Sequence, residues 1–247
     1  MKKFKMIIDP DSEMYRIVAI INFNNVKKGE FGGLIEKERN LSHDNNAWVY
    51  GNARVYGNAR VYGDAQVYSD AQVYDDARVY GDARVYGDAQ VYGNARVYGD
   101  AQVYGNAQVY GDARVYGNAR VYGDAQVYSD AQVYDNAQVY DDARVYGNAQ
   151  VYGDAWVYGD ARVYGDAQVY GYARVYGNAW NKSPLYIQGS KHSLSNCKHG
   201  HIAIGCQCHS YQYWIENYKN IGSKQGYTED EIKEYSEHIR YMIKMGK

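Results

Sequence analysis

From Ala47 to Asn178 the chain is an unbroken run of six-residue units, Ala-Arg/Gln-Val-Tyr-Gly-Asp/Asn, in which 132 residues make 22 units. The alanine (Ala47 to Ala173) and the valine (Val49 to Val175) never vary, and a tyrosine follows every valine. Between alanine and valine stands Arg, Gln or Trp. A period this strict must be satisfied by one local structure stacked on itself. Side chains of a strand alternate between its faces. Alanine and valine therefore share one face, and Arg/Gln shares the other with tyrosine. Gly-Asp and Gly-Asn are turn signals, because both residues accept unusual backbone angles. The spacing predicts a four-residue strand plus a two-residue corner, repeated as a solenoid of parallel strands. A core of alanine and valine suits a narrow prism, which leaves tyrosine with Arg/Gln outside. The pattern lacks the 3.5 or 3.6 period of a helix.

An aliphatic residue every six positions with a small residue two before it, as in Val55 with Ala53 and Val61 with Ala59, resembles the hexapeptide-repeat, left-handed parallel β-helix superfamily. The resemblance implies three short strands per 18-residue coil, so the 22 units make just over seven coils. At roughly 4.8 Å per coil the rod is about 35 Å long. The longer pattern also resembles phage and bacterial proteins built from Val-Tyr-Gly-Asp/Asn-Ala repeats. The features carrying that likeness are GGLIEKERNLS at 32–42, the repeat itself, IQGSKH at 187–192, and IGCQCH at 204–209 with Trp214. It implies a phage or mobile-element origin.

Three sides per coil sort the outward residues. One side carries Arg60, Arg78, Arg96 and Arg114, then Gln132, Gln150 and Gln168. Another carries Gln72, Gln90, Gln108 and Gln126 between Arg54 and Arg144. The third runs Trp48, Gln66, Arg84, Gln102, Arg120, Gln138, Trp156, Arg174. Stacked arginines repel unless acids or a ligand compensate, and Asp64, Asp82 and Asp100 stand at the nearby corner. Guanidinium groups beside tyrosine rings make Arg60, Arg78, Arg96 and Arg114 a candidate stripe for phosphates and bases. Against it stands a solubilising face whose aromatic ladders only stabilise the sheet. The repeats hold 10 Arg and 16 Asp, a balance that disfavours general nucleic-acid binding. The run VYGDAQVYSDAQVYD occurs at 61–75 and again at 121–135. That offset is 10 units, not a multiple of three, so the copy lands on another side.

Composition narrows the classes further. Of 247 residues 31 are tyrosine and only 2 are proline. No apolar run approaches the roughly 20 residues of a spanning helix, and a chain this rich in valine and tyrosine is not wholly disordered. Three cysteines do not make a disulfide framework. The apolar stretch of MKKFKMIIDPDSE ends at Asp9-Pro10-Asp11, too short for a signal peptide. The expectation is a cytoplasmic protein, in the host cell if phage-encoded, with reduced thiols.

The flanks read as caps, giving three segments: 1–46, 47–189 and 190–247. In the first, Phe4 to Ile8 and Tyr15 to Ile21 are strands, Gly32-Gly33 marks a turn, and the first coil begins near Leu34. A last coil or partial strand runs to Gly189 by way of Leu185 and Ile187. A loop rich in Ser, Lys, His and Cys follows, then a final strand at 201–205. Tyr211 to Gln225 and Glu229 to Met245 are helices, with Ser210 as N-cap of the first and Thr228 with Glu231 as a capping box on the second. The fold class is thus mainly β: a parallel β-helix with an N-terminal strand cap and a C-terminal helical hairpin folding over the open end or packing between subunits.

Reactive side chains concentrate at Cys197, His199, His201, Cys206, Cys208 and His209, a candidate zinc set. Cys206-Gln207-Cys208 leaves one residue between cysteines, short of zinc spacing, and no cofactor is expected. Cys206 with His209 is a candidate nucleophile and base, and His192 is a further candidate catalytic residue. Hexapeptide acyltransferases use a histidine at a broken coil. Here nothing breaks the 22 units, and no histidine lies between Ala47 and Asn178. The leading expectation is a non-enzymatic scaffold or binding protein. It acts through protein contacts, against a host defence factor if phage-encoded, or by sequestering a small anionic ligand such as a nucleotide. It is a homo-oligomer, a trimer by the superfamily resemblance, with a host protein as alternative partner and no membrane. The alternative is an acyltransferase-like or Cys/His-dependent enzyme sited at the C-terminal cap.

Overall fold

The structure, a computed structural model, describes residues 1–177 and 179–246; Asn178, where the repeat tract ends, and Lys247 lie outside the described residues. Three parallel sheets wrap one core. One has eight strands from Trp48–Val49 to Arg174–Tyr176, and another has seven from Arg60–Val61 to Gln168–Val169. The third runs from Arg54–Val55 to Ala179–Trp180 and continues into the N-terminal cap, reaching eleven. Each repeat strand pairs with the one 18 residues on, as in Arg96↔Arg114 and Val97↔Val115. Every repeat alanine and valine is buried, and together they form one continuous core. The three-sided coil and the inward Ala/Val face expected from the repeat are both present.

The strands are shorter than the four residues expected. Most are Arg/Gln-Val pairs, because alanine and tyrosine belong to the corners. The Ala53 N–H donates to the Tyr50 carbonyl at 3.1 Å, closing a turn over the two residues between. The corner glycines have φ between +59° and +72°. A Cβ built on Gly99 would meet the Gly117 nitrogen one coil on at 3.1 Å. Asp75, Asp135 and Asp141 take the same conformation without glycine, at φ +57°. Their carboxylates accept the N–H of Gly93, Gly153 and Gly159 on the next coil at 3.2 to 3.3 Å.

At the N-terminal end Phe4–Ile8 and Tyr15–Ala19 form an antiparallel hairpin, and Phe31–Ile35 joins it to the solenoid by pairing parallel with Arg54–Val55. Gly32 and Gly33 lie inside that strand rather than in a turn. Close approach explains them: a Cβ on Gly32 would sit 2.5 Å from Ile17, and one on Gly33 would sit 2.6 Å from the Ala53 carbonyl. Trp48 occupies an outward position yet is wholly buried, since Phe4 and Phe23 close over it. The Lys3 side chain is buried with them, and its ammonium donates to the carbonyls of Ala47, Asn45 and Asp44. Burial lowers its pKa to about 8, against the attraction of Asp44 and Asp64.

The C-terminal cap departs further from expectation. The solenoid ends at Ala179–Trp180, with Trp180 paired to Val163. Tyr186–Gln188 is a short strand rather than a last coil, and it pairs antiparallel with Ser193–Lys198, a strand where a loop was expected. His201–Ile204 and Gln207–Ser210 complete this four-stranded sheet, so the strand at 201 is not the final one. Leu194 alternates with polar residues only over a short stretch, which hid the strand at Ser193–Lys198. Helices α1 (Tyr211–Lys224) and α2 (Glu229–Met245) begin at Ser210 and at the Thr228–Glu231 capping box as predicted. They pack against the new sheet through Leu194, Ile202, Trp214, Tyr235, Ile239 and Met242, a core separate from that of the solenoid. No helix among the described residues is long and apolar enough to cross a membrane.

Candidate functional site

Exact 18-residue pairing turns the outward positions into columns. Arg60, Arg78, Arg96 and Arg114 stand in register on successive coils, followed by Gln132 and Gln150. All four arginines are exposed. Among the described residues no carboxylate lies within ion-pair distance of them, so Asp64, Asp82 and Asp100 do not neutralise the column. In water, like charges one coil apart repel by about 1 kcal/mol per neighbouring pair. That cost is small enough for the sheet to bear and is relieved by any bound anion.

The tyrosines form three stacks beside these columns. In Tyr62–Tyr80–Tyr98–Tyr116–Tyr134 the centroids are 4.8 to 4.9 Å apart and the rings nearly parallel. At several coils where glutamine stands two residues before the next tyrosine, the phenol donates to its side-chain oxygen, as from Tyr116 to Gln132 at 3.2 Å and Tyr122 to Gln138 at 3.1 Å. Burial, reinforced by neighbouring tyrosines, pushes the pKa of Tyr74, Tyr134 and Tyr140 up to about 12. In Tyr62 burial also raises it, opposed by Arg78, Arg96 and Arg60.

The arginine column opens onto a groove at the N-terminal cap. This groove, about 810 Å³, is lined by Arg39, Ser42, His43, Arg60, Tyr62 and Arg78 together with the acids Glu38 and Asp44. The Arg39 guanidinium donates to Asn58 at 2.5 Å, and an adjoining recess brings Arg39, Arg60, Asp76 and Arg78 together. Glu38 is engaged by Lys2 at 2.7 Å and His43 at 2.9 Å, which lower its carboxyl pKa. Arg39 and Ser42 lie outside the repeat and carried no signal by themselves. Their register, set by Leu41 bridging to Val61, brings them to the column.

The Cys/His residues do not converge. Cys197 and Cys208 are joined as a disulfide, which corrects the expectation of reduced thiols and removes both as thiolate ligands. Cys206 is free and exposed. His199 stacks on Trp180, His201 bonds the His199 carbonyl, and His209 bonds Gln207 and packs on Tyr213 and Trp214. Burial, with His201 nearby, lowers the pKa of His209. No three His, Cys, Asp or Glu among the described residues gather to hold a metal. No hydrogen bond joins Cys206 to His209; instead Cys206 and His192 line one cavity between the sheet and the helices, with Trp214, Tyr227 and Tyr235. The His192 ring bonds the Tyr227 hydroxyl at 2.5 Å, and Tyr235 donates to the His192 carbonyl at 2.6 Å. Tyr227 and Tyr235 sit in the helical segment, 35 and 43 residues from His192, with no local signal to link them.

No curated protein matches the chain as a relative. Nine segments, 47–63, 53–69, 71–87, 89–105, 107–117, 113–129, 137–153, 149–165 and 155–171, match the family described as YdcK Beta solenoid repeat. All nine lie within the tract that forms the coils, so in sequence these repeats are similar to the YdcK β-solenoid repeat.

Proposed function

We propose that the protein is a non-catalytic binding rod that takes up an anionic ligand along its arginine column. The observation that carries this is the set Arg60, Arg78, Arg96 and Arg114, exposed, in register, and without a carboxylate partner. A solubilising face gains nothing from four like charges in a row, whereas a chain of phosphates or carboxylates bridges them. The rod supplies rigidity: its groups are held by sheet pairing on every coil, so little order is lost on binding. Kinship with the phage and bacterial Val-Tyr-Gly-Asp/Asn-Ala proteins and assembly into an oligomer, a trimer by the superfamily resemblance, belong to this reading. Tyr172 and Tyr170, exposed near the C-terminal end, offer aromatic contact area for assembly. Trp48 and Trp180 do not, being buried under the caps.

The test is titration with inorganic polyphosphate at low and high salt. Binding should weaken with salt and be lost in the double variant Arg96→Glu, Arg114→Glu. The variant Arg144→Glu, Arg162→Glu, on another face, should keep it. Equal losses in the two variants, or no binding by the native protein, would refute the reading. A second reading, a Cys/His-dependent enzyme at the C-terminal cap, draws on Cys206 and His192 lining the same cavity. It requires hydrolase or acyl-transfer activity that disappears in Cys206→Ser.

A further inference from the structure

The repeat makes tyrosine stack on tyrosine in every coil, and at one end a ring is missing. The Ser42 N–H donates to the Val61 carbonyl at 2.9 Å, the bond that Tyr50 makes to Val67 and Tyr56 to Val73. Ser42 therefore holds the tyrosine position on the coil above Tyr62. Tyr62 stacks on Tyr80 at 4.8 Å on one side, and no ring among the described residues covers its other side. Both residues line the groove. The guanidinium groups of Arg39, Arg60 and Arg78 enter the same space from the corner and the column.

We infer that this groove binds a free nucleotide, its base stacked on Tyr62 in place of the missing ring and its phosphates held by Arg39, Arg60 and Arg78. The inference rests on the anion-binding reading of the arginine column and gives it a defined end. Three features agree on the ligand class. An aromatic base continues a stack whose rings are already spaced 4.8 to 4.9 Å apart. Guanidinium groups match phosphate oxygens in pairs, which a lysine does not. A groove of about 810 Å³ lies within the roughly 300–1,000 Å³ range of small-molecule sites. The acids present do not forbid it. Glu38 is tied to Lys2 and His43, and the Asp44 charge is drawn to the buried Lys3 ammonium.

Calorimetric titration of the full chain with ADP, with inorganic pyrophosphate as the base-free control, tests it. ADP should bind at least tenfold more tightly than pyrophosphate. Ser42→Tyr, which fills the space with the ring the repeat would place there, should abolish that difference while leaving pyrophosphate binding. Arg78→Ala should weaken both ligands at least tenfold, and Arg162→Ala, on another face of the rod, neither. Circular dichroism of each variant checks that the coils are intact. Equal affinity for ADP and pyrophosphate, or ADP binding indifferent to Ser42→Tyr, would overturn the base site while leaving the polyphosphate-binding column standing. A 5′-phosphorylated oligonucleotide that binds more tightly than ADP would assign the groove to strand ends and overturn the free-nucleotide reading. Polyphosphate binding lost with ADP binding retained would sink the column and keep the groove.

Discussion

Seventeen ladder tyrosines have pKa values raised above 10.0, with burial the first cause in each. Unfolded tyrosine ionises near pH 10, so above that pH the unfolded chain has lost protons that the rod retains. The unfolded state then binds fewer protons, and stability falls as pH rises. Each such tyrosine contributes a slope of about 1.4 kcal/mol per pH unit once the unfolded chain is fully ionised. The three raised to about 12 together reach about 4 kcal/mol per pH unit, or about 2 when halved for partial exposure, and the other fourteen act with the same sign. Domain stabilities are roughly 5–15 kcal/mol. The solenoid should therefore unfold between roughly pH 10.5 and 12. Far-ultraviolet circular dichroism and tyrosinate absorbance near 295 nm, followed together, should change in one coincident step. High salt should shift that step little, because burial rather than repulsion is the larger cause. Smooth titration of the tyrosines near pH 10 with unchanged dichroism up to pH 12 would refute the reasoning.

Lys3 works with the opposite sign. Its pKa is lowered to about 8 in the fold, so stability should rise by up to about 3 kcal/mol between pH 8 and 10.5. Denaturant midpoints at pH 7 and 9.5 should show the rise in the native chain and its absence in Lys3→Met. At a glycine corner, Gly99→Ala should cost about 1–2 kcal/mol for the left-handed backbone alone, more with the contact to Gly117. Gly99→Asp should cost less, since Asp75 shows a carboxylate accepting the next coil's N–H there; equal costs by thermal melting would contradict that account. Val109→Ala, in the middle of the core, should cost about 2–3 kcal/mol from lost burial and the cavity left. Reduction of Cys197–Cys208 should lower the melting of the C-terminal cap before that of the coils, seen as early loss of helical signal.

The coils were legible because each residue of a unit meets the same surroundings 22 times. One decision about which face goes inward settled Val55 and Val163 alike, and even the pairing of Arg60 with Arg78 followed from arithmetic. The caps offer no such averaging. Gly32-Gly33 looks like a turn from the residue types alone, and only the nearness of Ile17 and Ala53 explains glycine inside a strand. Cys197 and Cys208 are 11 apart in sequence and meet because a bulged strand and its neighbours fold back on one another. The arginine stripe was visible at once, but its end was not. Arg39 and Ser42 acquire meaning only through Leu41 bridging to Val61, a spacing of 20 where the repeat keeps 18.

The pairing of each unit with the third one beyond it makes the rod behave like a screw with three stops per turn. Gain or loss of a single six-residue unit advances the C-terminal cap by a third of a coil and swings it by about 120° relative to the N-terminal groove. Three units restore the bearing and change only the reach. The ten-unit offset between the two copies of VYGDAQVYSDAQVYD is three full turns and one stop more. Insertion of ten units would thus lengthen the rod and redirect whatever its far end carries at the same time. Length and aim are coupled in this architecture, and a partner that touches both ends reads both from one count.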